Sequence, residues 1–150
     1  MHKEKLFGKQ WEKCLEVNDK LDKLIKKIES IEDLMSGRPA TDYDIQNAEK
    51  NLNVCFAEDY KMYLKQYGFI CFSGHELTGI CDGKRLDVVK LTKNEKEYYE
   101  NKLLNAYVIE QTHIDGIVIW QTTDGKIFKT QGNQIVKICD TLYEYISMFI

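Results

Sequence analysis

The sequence predicts an α+β fold, an antiparallel sheet packed against several helices in one structural domain, and three observations carry that prediction. Apolar residues recur at three- and four-residue steps through the first part of the chain, which places a stripe along one face of a helix. Short extended segments separated by glycine-containing turns fill most of the second part, the pattern of an antiparallel meander. A last stretch returns to helical spacing and closes the chain. Segregation of helices from strands argues for helices laid on one face of the sheet.

The first helix is expected over roughly Gln10 to Met35. Leu21, Leu24, Ile25, Ile28, Ile31 and Met35 form its stripe, and Cys14, Leu15 and Val17 extend the stripe toward the N-terminus. Ser36-Gly37-Arg38-Pro39 ends it, because glycine caps a helix and proline cannot continue one. Thr41 opens a second helix; its hydroxyl accepts a bond from a first-turn amide, and Asp42 and Asp44 suit the positive end of the dipole. Ile45, Ala48 and Leu52 form its buried face. A third helix runs from about Ala57 to Tyr67, with Tyr60, Tyr63, Leu64 and Tyr67 on one stripe and Gly68 as the stop. Phe69 to Phe72 is extended. Arg85 to Leu91 alternates enough to predict a strand, and Thr92 to Leu104 a helix opened by Thr92 or Asn94. Ala106 to Glu110 is a strand candidate. Gly116 to Gln121 and Lys126 to Thr130 flank the turn signal Asp124-Gly125. Gly132-Asn133 precedes a further strand, Gln134 to Ile138. Asp140 or Thr141 caps a final helix built on Leu142, Tyr145, Ile146 and Phe149.

Composition bounds the function. The 150 residues carry 43% hydrophobic and 30% charged side chains, with one proline, Pro39. These values fit a globular domain and exclude a low-complexity linker protein. Net charge is −3, and no segment is basic: residues 1–40 hold nine basic and eight acidic side chains, 41–100 eight and eleven, and 101–150 four and five. A nucleic-acid backbone is therefore not the expected partner, whereas a mildly acidic body suits a basic protein. Five cysteines, an odd count with no C-x-x-C pair, predict a reducing compartment rather than a disulfide framework. The N-terminus leads into no apolar run of signal-peptide length and no stretch has the length of a membrane span, so a cytoplasmic protein is expected.

Residues 41–150 resemble the SUKH superfamily, the fold shared by fungal cell-wall-assembly regulators and bacterial toxin-immunity proteins. The resemblance rests on Ile45-x-x-Ala48-Glu49-x-x-Leu52, then Glu58-Asp59-Tyr60-x-x-Tyr63-Leu64-x-x-Tyr67-Gly68, then Glu76-Leu77-x-Gly79. Phe56-Ala57 stands where the family usually has Leu-Pro, which keeps an apolar anchor at the helix start. Residues 1–40 form a separate N-terminal helical segment, either a family-like first helix or an added arm. The resemblance implies non-catalytic binding, either as an immunity protein that neutralises a cognate toxin domain such as a nuclease or as a regulatory scaffold without a toxin. The motif itself serves packing: Tyr60 and Leu64 point inward, Gly68 supplies positive φ, and Glu49 accepts hydrogen bonds at the helix–sheet junction.

No catalytic, cofactor or metal site is expected. His75, Glu76, His113 and Asp115 match no ligand spacing such as H-E-x-x-H. Cys71, between Ile70 and Phe72, reads as a buried inert thiol, and Asp82 disfavours a thiolate at Cys81. The expected contacts are with protein. Glu76, Asp82, Asp87, Glu110, Asp115 and Asp124 lie in or beside expected loops and strand ends, where they would form an anionic surface if they converged. Of the adjacent pair Tyr98 and Tyr99 only one can face inward, and Tyr99 is taken as a contact residue, since exposed tyrosine anchors interfaces. Trp120 shares a strand face with Val118, while Ile117 and Ile119 share the other. Either both faces are covered or one is an exposed binding patch.

Overall fold

A computed structural model describes residues 19–83, 85–99, 103 and 105–150. Helix α1 occupies residues 19–29, and the part of the expected helix before residue 19 lies outside the described residues. Strand β1 (Met35–Ser36) and helices α2 (Asp42–Leu52) and α3 (Glu58–Tyr67) follow. Strands β2 (Ile70–Phe72) and β3 (His75–Leu77) lead into helix α4 (Val88–Tyr98). Strands β4 (Ala106–Gln111), β5 (Val118–Thr122), β6 (Ile127–Gln131) and β7 (Gln134–Cys139) precede helix α5 (Leu142–Ser147). The seven strands form one sheet in sequence order, every neighbour antiparallel. The α+β expectation is met.

Local chemistry sets the helix ends. Thr41 and Asp44 form a reciprocal capping box: the Asp44 amide donates to Thr41 Oγ1 at 3.1 Å, and the Thr41 amide donates to Asp44 Oδ2 at 3.0 Å, so two otherwise unpaired donors are satisfied. Gly68 ends α3 at φ 74°. A β-carbon there would stand 2.0 Å from the Arg38 carbonyl oxygen, and one on Gly79 would stand 1.6 Å from the Gly68 oxygen. Both glycines of the family motif are thus required by close backbone approach.

Three expectations are corrected. Helix α1 stops at 29 instead of Met35, because Asp33 accepts the Ser73 amide at 2.7 Å and Met35 pairs with Cys71 at the sheet edge. The segment from Arg85 to Leu91 is not a strand. Asp87 caps α4, its carboxylate accepting the Lys90 amide at 3.2 Å, and this local bond outweighs the β-branched Val88-Val89 pair. Thr92 is therefore inside the helix, where its Oγ1 accepts the Val108 amide at 2.9 Å and joins α4 to the open stretch of β4. The end of the expected helix at Leu104 falls outside the described residues.

Helices also cover more than one face. The main core unites Leu24, Ile28 and Ile31 with side chains of α2, α3, α5 and the sheet, so the N-terminal helix shares the core of the rest. A second cluster, Ala106, Val108, Val118 and Trp120, occupies the opposite face and is covered by Leu91, Tyr99 and Leu103. The order of elements tells nothing of this second layer. It depends on α4, whose Val88 and Val89 join the main core while its Leu91 packs on the second cluster.

Candidate partner-binding surface

The motif stretch builds a rigid floor. Tyr60, Tyr63 and Tyr107 are fully buried, and their hydroxyls find partners there, as buried phenols must. Tyr63 donates to the Thr78 carbonyl at 2.9 Å and accepts the Ile70 amide at 3.0 Å. Glu49 accepts the Phe56 amide at 2.8 Å, tying α2 to the start of α3. Asp59 clamps three elements: its carboxylate accepts Gln121 Nε2 and the Leu142 amide, each at 2.9 Å. Gln121 in turn accepts the Tyr107 hydroxyl at 2.8 Å, and that hydroxyl accepts the Ala57 amide at 2.9 Å. Burial pushes the Asp59 carboxyl above the usual carboxylate value, against the lowering effect of these bonds.

Above this floor three recesses meet at the β5–β6 turn. The largest, about 570 Å³, lies between α1, the starts of α3 and α5, and the turn Thr123–Gly125. Two more, about 460 and 510 Å³, lie on the far side of the same turn, and Thr123 borders all three. Thr123 is fixed by donating Oγ1 to the Cys55 carbonyl at 2.8 Å and its amide to the Asn105 carbonyl at 3.1 Å. The apolar lining of the first recess includes Leu21, Leu24 and Ala57. Its rim is a mosaic of charge, with Glu58, Asp124, Asp140 and Glu144 facing Lys20 and Lys23. Asp124 is held below the usual carboxylate range first by the Thr122 hydroxyl, and Asp140 by Lys137 at 2.5 Å, so both are ionised at neutral pH.

The expected contact residues divide among separate places. Asp124 is exposed at the turn just described, at one end of β5; Asp115 is exposed at the other end, in the β4–β5 turn. Glu76 is half-buried on β3 beside Arg85, and Asp82 is exposed in the loop before α4. Asp87 is 7% exposed and caps α4. Glu110 is 3% exposed. It accepts the Tyr145 hydroxyl and the Glu76 amide, the latter at 3.2 Å, and pairs with His75 Nδ1 at 3.1 Å. Trp120 is fully buried and donates Nε1 to Thr130 Oγ1 at 2.9 Å. Tyr99 packs edge-on against it, centroids 5.9 Å apart, while Tyr98 is the outward member of the pair at 82% exposure. Asp87, Glu110, Trp120 and Tyr99 therefore serve the interior, and the first three present no open surface. A single anionic face does not form.

Glu110 is placed by a feature with no sequence signal. The β4–β5 register slips between Val108 and Glu110, a bulge with Ile109 as the extra residue. The slip sets Glu110 opposite Ile119, a main-core residue, and so turns it toward α5. Sequence reasoning also passed over Glu58, Asp140 and Glu144. Their position at helix starts was legible, but their convergence at one recess was not.

Three thiols lie above the ordinary value, the opposite of activation. Burial raises the Cys71 and Cys81 thiols, and Cys139 reaches about 11 by the same cause. Cys71 itself is half-buried rather than buried. Among the described residues no group of three or more His, Cys, Asp or Glu side chains is placed to hold a metal ion, and no helix is long and apolar enough to cross a membrane.

Fold and site define an α+β protein in which helices pack one antiparallel meander into a main core, α4 also closes a second cluster, and a recessed, ion-paired surface lies at one end. The family model SUKH_5, described as SMI1-KNR4 cell-wall, matches residues 18–148, and the chain belongs to that family. The match spans α1 as well as the strands and helices that follow. Membership is consistent with an immunity or a regulatory role. No curated protein matches the chain.

Proposed function

We propose that the protein is a non-catalytic immunity protein that binds and neutralises a cognate bacterial toxin domain, a nuclease being the toxin class that suits it. One observation carries the choice of surface: three recesses converge on the β5–β6 turn, where Thr123 borders all three and the exposed Asp124 borders two. Concavity with an apolar lining and an ion-paired rim favours a protein partner, because rim pairs exchange across an interface at little net cost and steer the encounter. A nuclease is basic where it holds a phosphate backbone, and Glu58, Asp124, Asp140 and Glu144 would meet such a surface. Glu76, Asp82 and Asp115 belong to this proposal as outlying contacts.

The test is co-expression with the toxin domain encoded beside this chain. Growth should be rescued and the two proteins should co-purify. A paired Asp124→Lys and Glu144→Lys variant, folded by circular dichroism, should lose at least about tenfold in affinity, since reversing rim charges costs a few kcal/mol. Rescue that survives the charge reversal would move the binding surface elsewhere. Absence of both rescue and binding with the neighbouring toxin would overturn the immunity function in favour of a regulatory scaffold.

A further inference from the structure

We infer that the outer edge of β7 is a docking surface for a second copy of this chain, joined strand to strand in one register. Among the described residues the meander ends at β7, and one side of this six-residue strand has no neighbour within the sheet. Gln134, Ile135, Val136 and Lys137 are all exposed, and Ile135 and Val136 are two of the large apolar side chains open to solvent, at 36% and 48%. The opposite edge, β1, has only two residues.

The turn fixes which main-chain groups are open. Gly132 and Asn133 form a two-residue connection with Gln131 paired to Gln134. Gly132 has φ 56°, which fits the type that places glycine first. In such a hairpin the flanking pair exchanges both main-chain bonds, and alternation along the strand follows. Gln134 and Val136 therefore direct their N–H and C=O toward β6. Ile135 and Lys137 direct theirs outward.

These open groups are self-complementary. An antiparallel copy centred on Val136 sets Ile135 against Lys137 of the other copy, and Lys137 against Ile135. Each of these two pairs exchanges two main-chain hydrogen bonds. Val136 meets Val136 in the close, non-bonded position between them, with β-carbons roughly 4.5–5.5 Å apart. Charge agrees with this register and disagrees with its neighbour. Centring on Lys137 would oppose two ammonium groups, whereas centring on Val136 lays each lysine stem along an isoleucine. Lys137, an ordinary guard of exposed edges, is turned to its own Asp140 at 2.5 Å. Two seven-stranded sheets would thus become one continuous sheet, and the recesses at the β5–β6 turn are not used.

Sedimentation equilibrium of the full chain tests this directly. A concentration-dependent dimer is expected. Val136→Lys should return it to the monomer mass, because two charges would then face each other at the symmetry axis, and Ile135→Pro should do likewise by removing an outward N–H. Where either variant fails to fold, Val136→Cys gives an independent answer. Under mild oxidation its dominant cross-link, mapped by peptide mass spectrometry, should join residue 136 to residue 136, while Gln134→Cys should not self-link. A wild-type chain that stays monomeric at every concentration, a dimer unaffected by Val136→Lys, or a cross-link that maps to another register would each overturn the inference.

Discussion

At the residue scale the buried polar groups decide stability. Glu110 has lost its water and relies on the Tyr145 hydroxyl, His75 and the Glu76 amide. Tyr145→Phe leaves that carboxylate one donor short, so urea denaturation should report a loss of about 1.5–3 kcal/mol, the scale of a bond to a charged group. Asp59 makes a different prediction. Burial raises its carboxyl above the usual value, so the folded chain takes up its proton before the unfolded chain does. Its contribution to stability is most favourable when protonated and falls as pH rises through the window between the usual value and the raised one. The stability difference between the wild type and the non-ionising Asp59→Asn should therefore shift toward the variant across that window, then level off. A flat difference measured by denaturation at several pH values would contradict the raised value. Gly79→Ala should cost at least ~2 kcal/mol, because a β-carbon would overlap the Gly68 carbonyl and overpacking against backbone finds little room to relax. Gly83→Ala, which meets nothing within 4 Å, is its control.

At the element scale the helix starts and the second core carry the argument. Thr41→Ala removes one half of the α2 capping box and should cost about 1 kcal/mol by thermal or chemical unfolding. Trp120 distinguishes a packed element from a binding patch. It is fully buried, with Tyr99 across its edge and Thr130 on its indole N–H. Trp120→Ala should lower stability by about 3–5 kcal/mol. A surface tryptophan would instead leave stability nearly unchanged and affect only partner binding. The same contrast applies to α4. Its Asp87 cap and the Thr92–Val108 bond hold it to the sheet, so the helix is a second structural layer and not a detachable arm.

At the scale of the whole molecule, the meander leaves two unlike regions open. One end gathers recesses around the β5–β6 turn, where mixed charge and apolar lining suit another protein. The last strand leaves a main-chain edge, which suits a strand. The two touch at the Lys137–Asp140 ion pair, while Val136, Asp124 and Glu144 stand outside that pair. The charge-reversal variants at Asp124 and Glu144 and the Val136→Lys variant should therefore separate: the first pair should change affinity for the proposed toxin partner at unchanged mass, and the second should change mass at unchanged affinity. A variant that moves both readouts would mean that the two surfaces are coupled.

The sequence by itself determined most of the scaffold. Helical spacing marked α2, α3 and α5, the capping residues marked their ends, and the glycine turns marked the strands after Ala106, because these signals depend on near neighbours in the chain. The order and spacing of Glu49, Asp59, Tyr60, Tyr63, Gly68 and Gly79 pointed to the family for the same reason: each answers a fixed local demand for a bond, a buried ring or a close backbone approach. Only the tertiary structure decided what depends on distant partners. A one-residue slip in β4 turned Glu110 inward, a cap at Asp87 made a helix of an apparent strand, and α4 sealed Trp120 under a second layer. Asp124 was legible as a turn residue, but its place on the rim of the first recess was not, since that recess is walled by side chains more than one hundred residues apart in the chain, from Leu21 to Tyr143. Burial and convergence are properties of packing across the chain, and no local pattern carries them.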